Sequence, residues 1–439
     1  MKKTLLALAV SALSVNAFAL DLGTDAALKY ASEIKFAAAG TALTLPETVD
    51  VLTGFSIGAG NVRYVRFDVT GAEFDVANVA AGDLVLAGAT VAVSTVDTSN
   101  KKYVIFEVTA GGADIANNVA LNLTPRILAK AGSNVSIQYR LYETGVDALA
   151  GNSDVLANKS GAVVSYAPAL SLAVTSVGVD SIDVAQESKF FDGATGDINA
   201  TLGNVDVQVD ATVLWTTGAA TTIGDLVAAT GNAIVINGDF SSAADVTLGG
   251  VSVAAADLTA TTATFPLASA AAVDAVNSNV VFVANGTDAI APSDFTATLD
   301  LAAATNSSAA DLAGDLDSLE KNGSTQLVNL ALKPGGAYSN FVRISNTSGL
   351  EGKFFVTVIA DDGQNVSLTL DEIAGQPATL AARASTTQMS IQSIFDAAAA
   401  KGLALANEGK LRLQVEGEVP SLDVQTYTVS KDGNSFATF

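Results

Sequence analysis

Tyr64-Val65-Arg66-Phe67-Asp68-Val69-Thr70 and, 39 residues further on, Tyr103-Val104-Ile105-Phe106-Glu107-Val108-Thr109 decide the fold class. In the first, Val65, Phe67 and Val69 alternate with Tyr64, Arg66 and Asp68. Side chains of an extended chain point to opposite faces in turn, so this period of two reads as a half-buried strand. The match continues at the same offset, where Asp75-Val76-Ala77-Asn78 corresponds to Asp114-Ile115-Ala116-Asn117. A solenoid needs at least three repeats, and two are found here. Two equivalent hairpins within one sandwich are expected, with a duplicated ancestral unit as the alternative.

Outward from this pair the same period recurs. Val205-Asp206-Val207-Gln208-Val209-Asp210 alternates almost ideally, Leu411-Arg412-Leu413-Gln414-Val415-Glu416 alternates again, and 424–429 follows as another strand. Phe354-Phe355-Val356-Thr357-Val358-Ile359 is more continuously apolar and is expected to be buried on both faces. Gly, Asp and Asn clusters separate these runs, as tight turns require. The fold class is therefore mainly β, a series of β-sandwich domains, with two short helices. The first helix is expected from Leu312, Leu316 and Leu319, capped by Asn306-Ser307-Ser308 and stopped at Lys321-Asn322-Gly323. The second is expected from Ile391, Ile394, Phe395 and Ala398, with Ser390 as cap and Gly402 as terminator. Composition and punctuation divide the chain into a leader (1–19), a first β-sandwich (20–165), a second (166–305) and a helix-led C-terminal β domain (306–439).

The leader reading rests on Lys2 and Lys3, a short apolar run from Leu5 to Val15, and Ala17-Phe18-Ala19 as a small-x-small cleavage pattern. That run is too short to span a bilayer, so no transmembrane segment is expected after cleavage. The formal charge is −23, or −25 once Lys2 and Lys3 leave with the leader. Such acidity opposes nucleic acid, whose binding rests on Lys and Arg, and favours divalent cations that bridge carboxylates. There is no cysteine and no histidine. Thiolate nucleophiles, zinc clusters, imidazole bases and Ser-His-Asp triads are all excluded.

Acidic loops are the remaining candidates for chemistry. Asp192-Gly193-Ala194-Thr195-Gly196-Asp197 sets Asp192 and Asp197 around flexible glycines, an arrangement that supplies some of the six to eight oxygens calcium takes. An ordinary turn is the competing reading. Asp361-Asp362-Gly363 and Lys431-Asp432-Gly433 read as hairpin turns. Paired carboxylates would suit a glycosidase, but one Trp and eight Tyr are thin material for a sugar cleft, and no enzyme is expected. Phe439 is the kind of residue that ends outer-membrane barrels; the last segment is too short for a barrel strand and the aromatic content too low for girdles.

The acidity, the leader, the abundant Ala, Val, Thr and Gly, the two Met and the absent Cys and His together resemble bacterial S-layer and related surface-array proteins. Phe341-Val342-Arg343-Ile344-Ser345-Asn346, leading into 354–359, also looks like the Ig-like modules of exported bacterial proteins. These resemblances imply a protein secreted to the cell surface that self-assembles into a homo-oligomeric layer or filament. They further imply calcium between acidic surfaces and an anchor to the outer membrane or a surface glycan. A terminal strand donated to the next subunit is one variant. A monomeric adhesin or carbohydrate-binding module is the alternative.

Overall fold

A computed structural model of the chain describes residues 20–336, 338–405, 409–430 and 436–438. The leader expected at 1–19, the turn expected at Lys431-Asp432-Gly433, and Phe439 lie outside them. Strands dominate, arranged in seven sheets among the described residues. The sheets draw on three stretches of chain in turn, 20–167, 170–315 and 324–438.

In the first stretch a six-stranded sheet runs in the order Leu28–Ala31, Ala157–Ala167, Val135–Tyr142, Val62–Thr70, Tyr103–Ala110, Ala89–Val96. The two matching segments of the sequence lie side by side in it as antiparallel neighbours, with Val65 opposite Phe106. Val65, Phe67 and Val69 face inward and are buried. Phe67 meets Phe106 edge-on at 6.4 Å, so the shared pattern closes one core layer. A four-stranded sheet covers this layer, contributing buried Val49, Val51, Leu121 and Leu123. The Tyr139 hydroxyl crosses between the sheets and donates to the Thr53 carbonyl at 2.9 Å.

The second stretch packs a five-stranded sheet on a four-stranded one. Phe282, on the strand Asn277–Ala284, lies at the centre of their aromatic contacts, with ring centroids 5.8 Å from Phe191, 6.0 Å from Phe240 and 6.2 Å from Phe295. The first two stretches do not have separate cores. The strand Leu28–Ala31 bonds to Leu214 of the second stretch, Lys29 accepting at 2.8 Å and Ala31 donating at 2.9 Å. The Lys35 amide then donates to Asn306 at 2.9 Å. Most buried apolar residues from Leu20 to Leu319 accordingly form one cluster, with Ile105, Tyr142 and Ala148 in a small separate one.

The third stretch has its own cluster, Val328 to Val424, between two sheets. Phe354, Val356 and Val358 point into it, whereas Phe355 and Ile359 are only half-buried. The run at 354–359 therefore alternates rather than burying both faces, its apolar outer side chains being tolerated on a pleated surface. The helix Ile391–Ala400 forms as expected: Ser390 Oγ accepts the Ser393 amide at 3.0 Å, and Gly402 follows at φ +98°.

The helix expected through Leu312, Leu316 and Leu319 is not there. Leu312–Asp315 is a strand, paired antiparallel with Thr296–Asp300, and Leu319 bridges Ser293. Residues 306–319 thus belong with the second stretch, and no helix leads the third. The unpaired edge at Thr296–Asp300 offers a full ladder of hydrogen bonds, which outweighs a weak helical pattern interrupted by Gly314. That glycine is needed for another reason, since a Cβ there would sit 2.6 Å from Val174 Cγ2.

Candidate functional site

The main gathering of buried charge lies on the outer face of the six-stranded sheet. Arg66, 8 % exposed, and Arg140 stand on neighbouring strands and share Asp68 between them. Arg66 donates to Asp68 through Nε at 3.0 Å and Nη2 at 2.7 Å, and Arg140 Nη2 donates to its other oxygen at 2.6 Å. Each guanidinium also reaches the short helix Gly145–Ala150. Arg66 Nη1 donates to the carbonyls of Ala148 at 2.8 Å and Leu149 at 3.1 Å, and Arg140 Nη1 to that of Gly151 at 2.8 Å. Carbonyls at a helix C-terminus lack partners within the helix and carry partial negative charge, which these cations satisfy. The Arg66 guanidinium also stacks 3.9 Å over the Tyr103 ring.

This arrangement fastens a helix to a sheet. Guanidinium stays charged at all accessible pH, so the cluster offers no proton to transfer. In the sequence Arg66 and Asp68 are simply the polar half of an alternating strand. Nothing local tells that Arg140 and the 145–151 carbonyls converge on them.

A buried carboxylate, Asp97, closes the hairpin between Ala89–Val96 and Tyr103–Ala110. It accepts the amides of Asn100 at 2.9 Å, Ser99 at 3.1 Å and Lys102 at 3.0 Å. The Asn100 amide first, with burial opposing and the remaining amides adding, holds its pKa below the ordinary carboxylate value. A folded value below the unfolded one stabilises the fold above the unfolded pKa, and the contribution is lost as pH falls through the folded value. Wild type should therefore lose stability to acid below about pH 4, the ordinary Asp range. Asp97→Asn should be less stable at pH 7 and show a smaller loss on acidification. Thermal melts of both proteins between pH 7 and pH 3 check this, and parallel curves would rule it out.

Asp192 and Asp197 occupy a narrow turn. The Phe191 amide donates to the Asp197 carbonyl at 2.8 Å, and the Asp197 amide to that of Ala194 at 3.1 Å. One Asp197 carboxylate oxygen already accepts the Asn199 amide at 3.0 Å, while Asp192 is exposed. Among the described residues no three carboxylates gather where they could hold a metal ion. Asp361-Asp362-Gly363 makes a hairpin turn, with Gly363 at φ +89° and the Gln364 amide donating to Asp362 at 3.0 Å. Between the second and third stretches lies an open cleft of about 480 Å³, lined by Glu320, Lys321, Glu416 and Glu418 among others, with Lys321 paired to Glu418 at 3.0 Å.

What the chain invests in is rigid sheets, closed turns and a clamped helix, the build of a structural protein. The chain belongs to the S-layer protein Slr4 family, which it matches over residues 64–435. Two solved structures are also similar. One is a tetra-tandem repeat from the extending region of a large adhesion protein, 13 % identical, covering 95 % of this chain and 72 % of that one at a TM-score of 0.18. The other is the fimbrial protein FimP from Actonomyces oris, 11 % identical, covering 94 % of this chain and 95 % of that one at a TM-score of 0.21. No curated protein matches.

Proposed function

We propose that this protein is the self-assembling subunit of a bacterial surface layer. The observation that carries the reading is membership of an S-layer family across residues 64–435. The architecture supports it: a layer subunit needs stable modules with defined edges, and two independent cores joined at residues 320–323 supply them. Calcium fits as a bridge between copies. An ion that takes six to eight oxygens would draw on acidic side chains of two neighbouring copies, each of net charge −23.

Negative-stain electron microscopy of the protein from Leu20 onward, first with calcium and then with chelator, tests this. Ordered sheets that dissolve on chelation are expected. Monodisperse particles in both conditions would overturn self-assembly and bring the monomeric adhesin reading forward.

A further inference from the structure

Among the described residues, four strands longer than five residues lie at the edge of a sheet: Ala89–Val96, Leu170–Thr175, Thr262–Leu267 and Ser324–Leu332. An open edge is a template for another strand, and soluble proteins usually block or charge it. Three of the four are blocked. Leu170–Thr175 lies against Leu312–Asp315, with Val174 packed on Gly314. Thr262–Leu267 carries Pro266 and is bonded by 257–259, Thr264 donating to Asp257 at 3.0 Å. Ser324–Leu332 runs beside Leu422–Ser430, whose Val424 amide donates to Gln326 at 2.9 Å.

Ala89–Val96 has Leu84–Leu86 and the turn Ala81–Asp83 beside it, but neither bonds to its backbone. Its eight residues, Ala-Thr-Val-Ala-Val-Ser-Thr-Val, include no charge, proline or glycine. Its sole strand partner is Tyr103–Ala110, and no other described segment bonds to its backbone. The Gly111 amide donates to the Gly88 carbonyl, which fixes the phase of the ladder. In that phase Thr90 and Ala92 bond inward, and the N–H and C=O groups of Ala89, Val91 and Val93 point away from the sheet. Beyond them Ser94 is bulged, since the register passes from Val93 opposite Phe106 to Thr95 opposite Ile105. The bulge limits the straight open edge to 89–93.

We propose that this edge is an interface between two copies of the chain, which pair antiparallel about a two-fold axis at Val91 and join their six-stranded sheets into one. The inference rests on the self-assembly reading above and names its contact. Only one register uses all three outward residues: Val91 opposite its own copy and Ala89 opposite Val93 of the other. That gives roughly six interchain hydrogen bonds. The facing side chains across the axis, Thr90 and Ala92, are small and exposed. A second copy is the favoured occupant because the sequence must fit itself and because charge elsewhere keeps copies apart. The chain carries −23, but the nearest carboxylate across the ladder is Glu107, opposite Ala92 and one strand back. Three strand spacings would separate the two Glu107 side chains by about 14 Å, beyond the ~8 Å Debye length at physiological salt.

The chain has no cysteine, so a single one reports unambiguously. Val91→Cys would face itself across the axis at a Cα separation of about 5.5 Å, within disulfide reach. Val251→Cys, on the 67 % exposed Val251, is the control. Mild oxidation should link Val91→Cys into dimers roughly 100-fold faster than the control, as expected of thiols held together rather than colliding. Ala92→Lys, confirmed folded by circular dichroism, should abolish the pairing when combined with Val91→Cys. Equal rates for the two cysteines, in soluble protein and in assembled layers alike, would overturn the interface. Layers that form without the Val91 link would retain the array reading and discard this contact. Absence of layers together with a fast Val91 link would do the reverse.

Discussion

Phe282→Ala is expected to destabilise the body built from residues 20–319 by about 4 kcal/mol, the range for truncating a buried phenylalanine that its surroundings cannot refill. The ring is 0 % exposed and touches three others, so its removal costs hydrophobic burial and three aromatic contacts together. Collapse around the vacancy is hard, because Phe191, Phe240 and Phe295 come from loops fixed by their own hydrogen bonds. The C-terminal core, from Val328 to Val424, shares no buried residue with this cluster. In urea melts, the transition of the larger body should shift and the C-terminal transition should stay in place. A uniform shift of all signal would show that the two bodies unfold as one.

Asp68→Ala is expected to cost about 3 kcal/mol, at the lower end for removing one partner of a buried ion pair because the group keeps some contact with water. The loss leaves the Arg66 and Arg140 guanidiniums close together with no counter-charge. Their bonds to Ala148, Leu149 and Gly151 should weaken as they separate. The helix Gly145–Ala150 should then exchange its amide hydrogens faster, while the strand Val135–Tyr142 beneath it changes less. Urea denaturation at low and high salt supplies the energy. A loss below about 1 kcal/mol that vanishes at high salt would mark the cluster as an ordinary surface pair.

Much of the β architecture is legible along the chain because its code is local. Val65, Phe67 and Val69 announce their burial by position alone, as do Leu411, Leu413 and Val415. The Ser390 cap and Gly402 stop of the second helix are equally local signals. The reading fails where a distant partner decides. Leu312, Leu316 and Leu319 have helical spacing, but they become strand and bridge because Thr296–Asp300 presents an open edge 12 or more residues earlier. Membership of a surface-layer family was legible in composition, since acidity and missing Cys and His are properties of the whole chain. The Arg66–Asp68–Arg140 cluster was not. Its third member is 72 residues from Asp68, and no motif links them. The openness of Ala89–Val96 was equally hidden, because an edge is defined by what fails to lie beside it.

The strand Leu28–Ala31 sets a clock for folding. It pairs in parallel with residues 164–167 and bonds onward to Leu214. A chain that emerges N-terminus first must therefore hold this strand unpaired until residue 167 follows, and cannot seal the joint before residue 214 has arrived. Closing so long a loop is entropically slow, and strands left waiting can pair with the wrong neighbour. Completion of the larger body comes later still, since its core extends to Leu319 of 439 residues. Copies would acquire their mature shape, and with it the geometry needed to meet one another, only at that point.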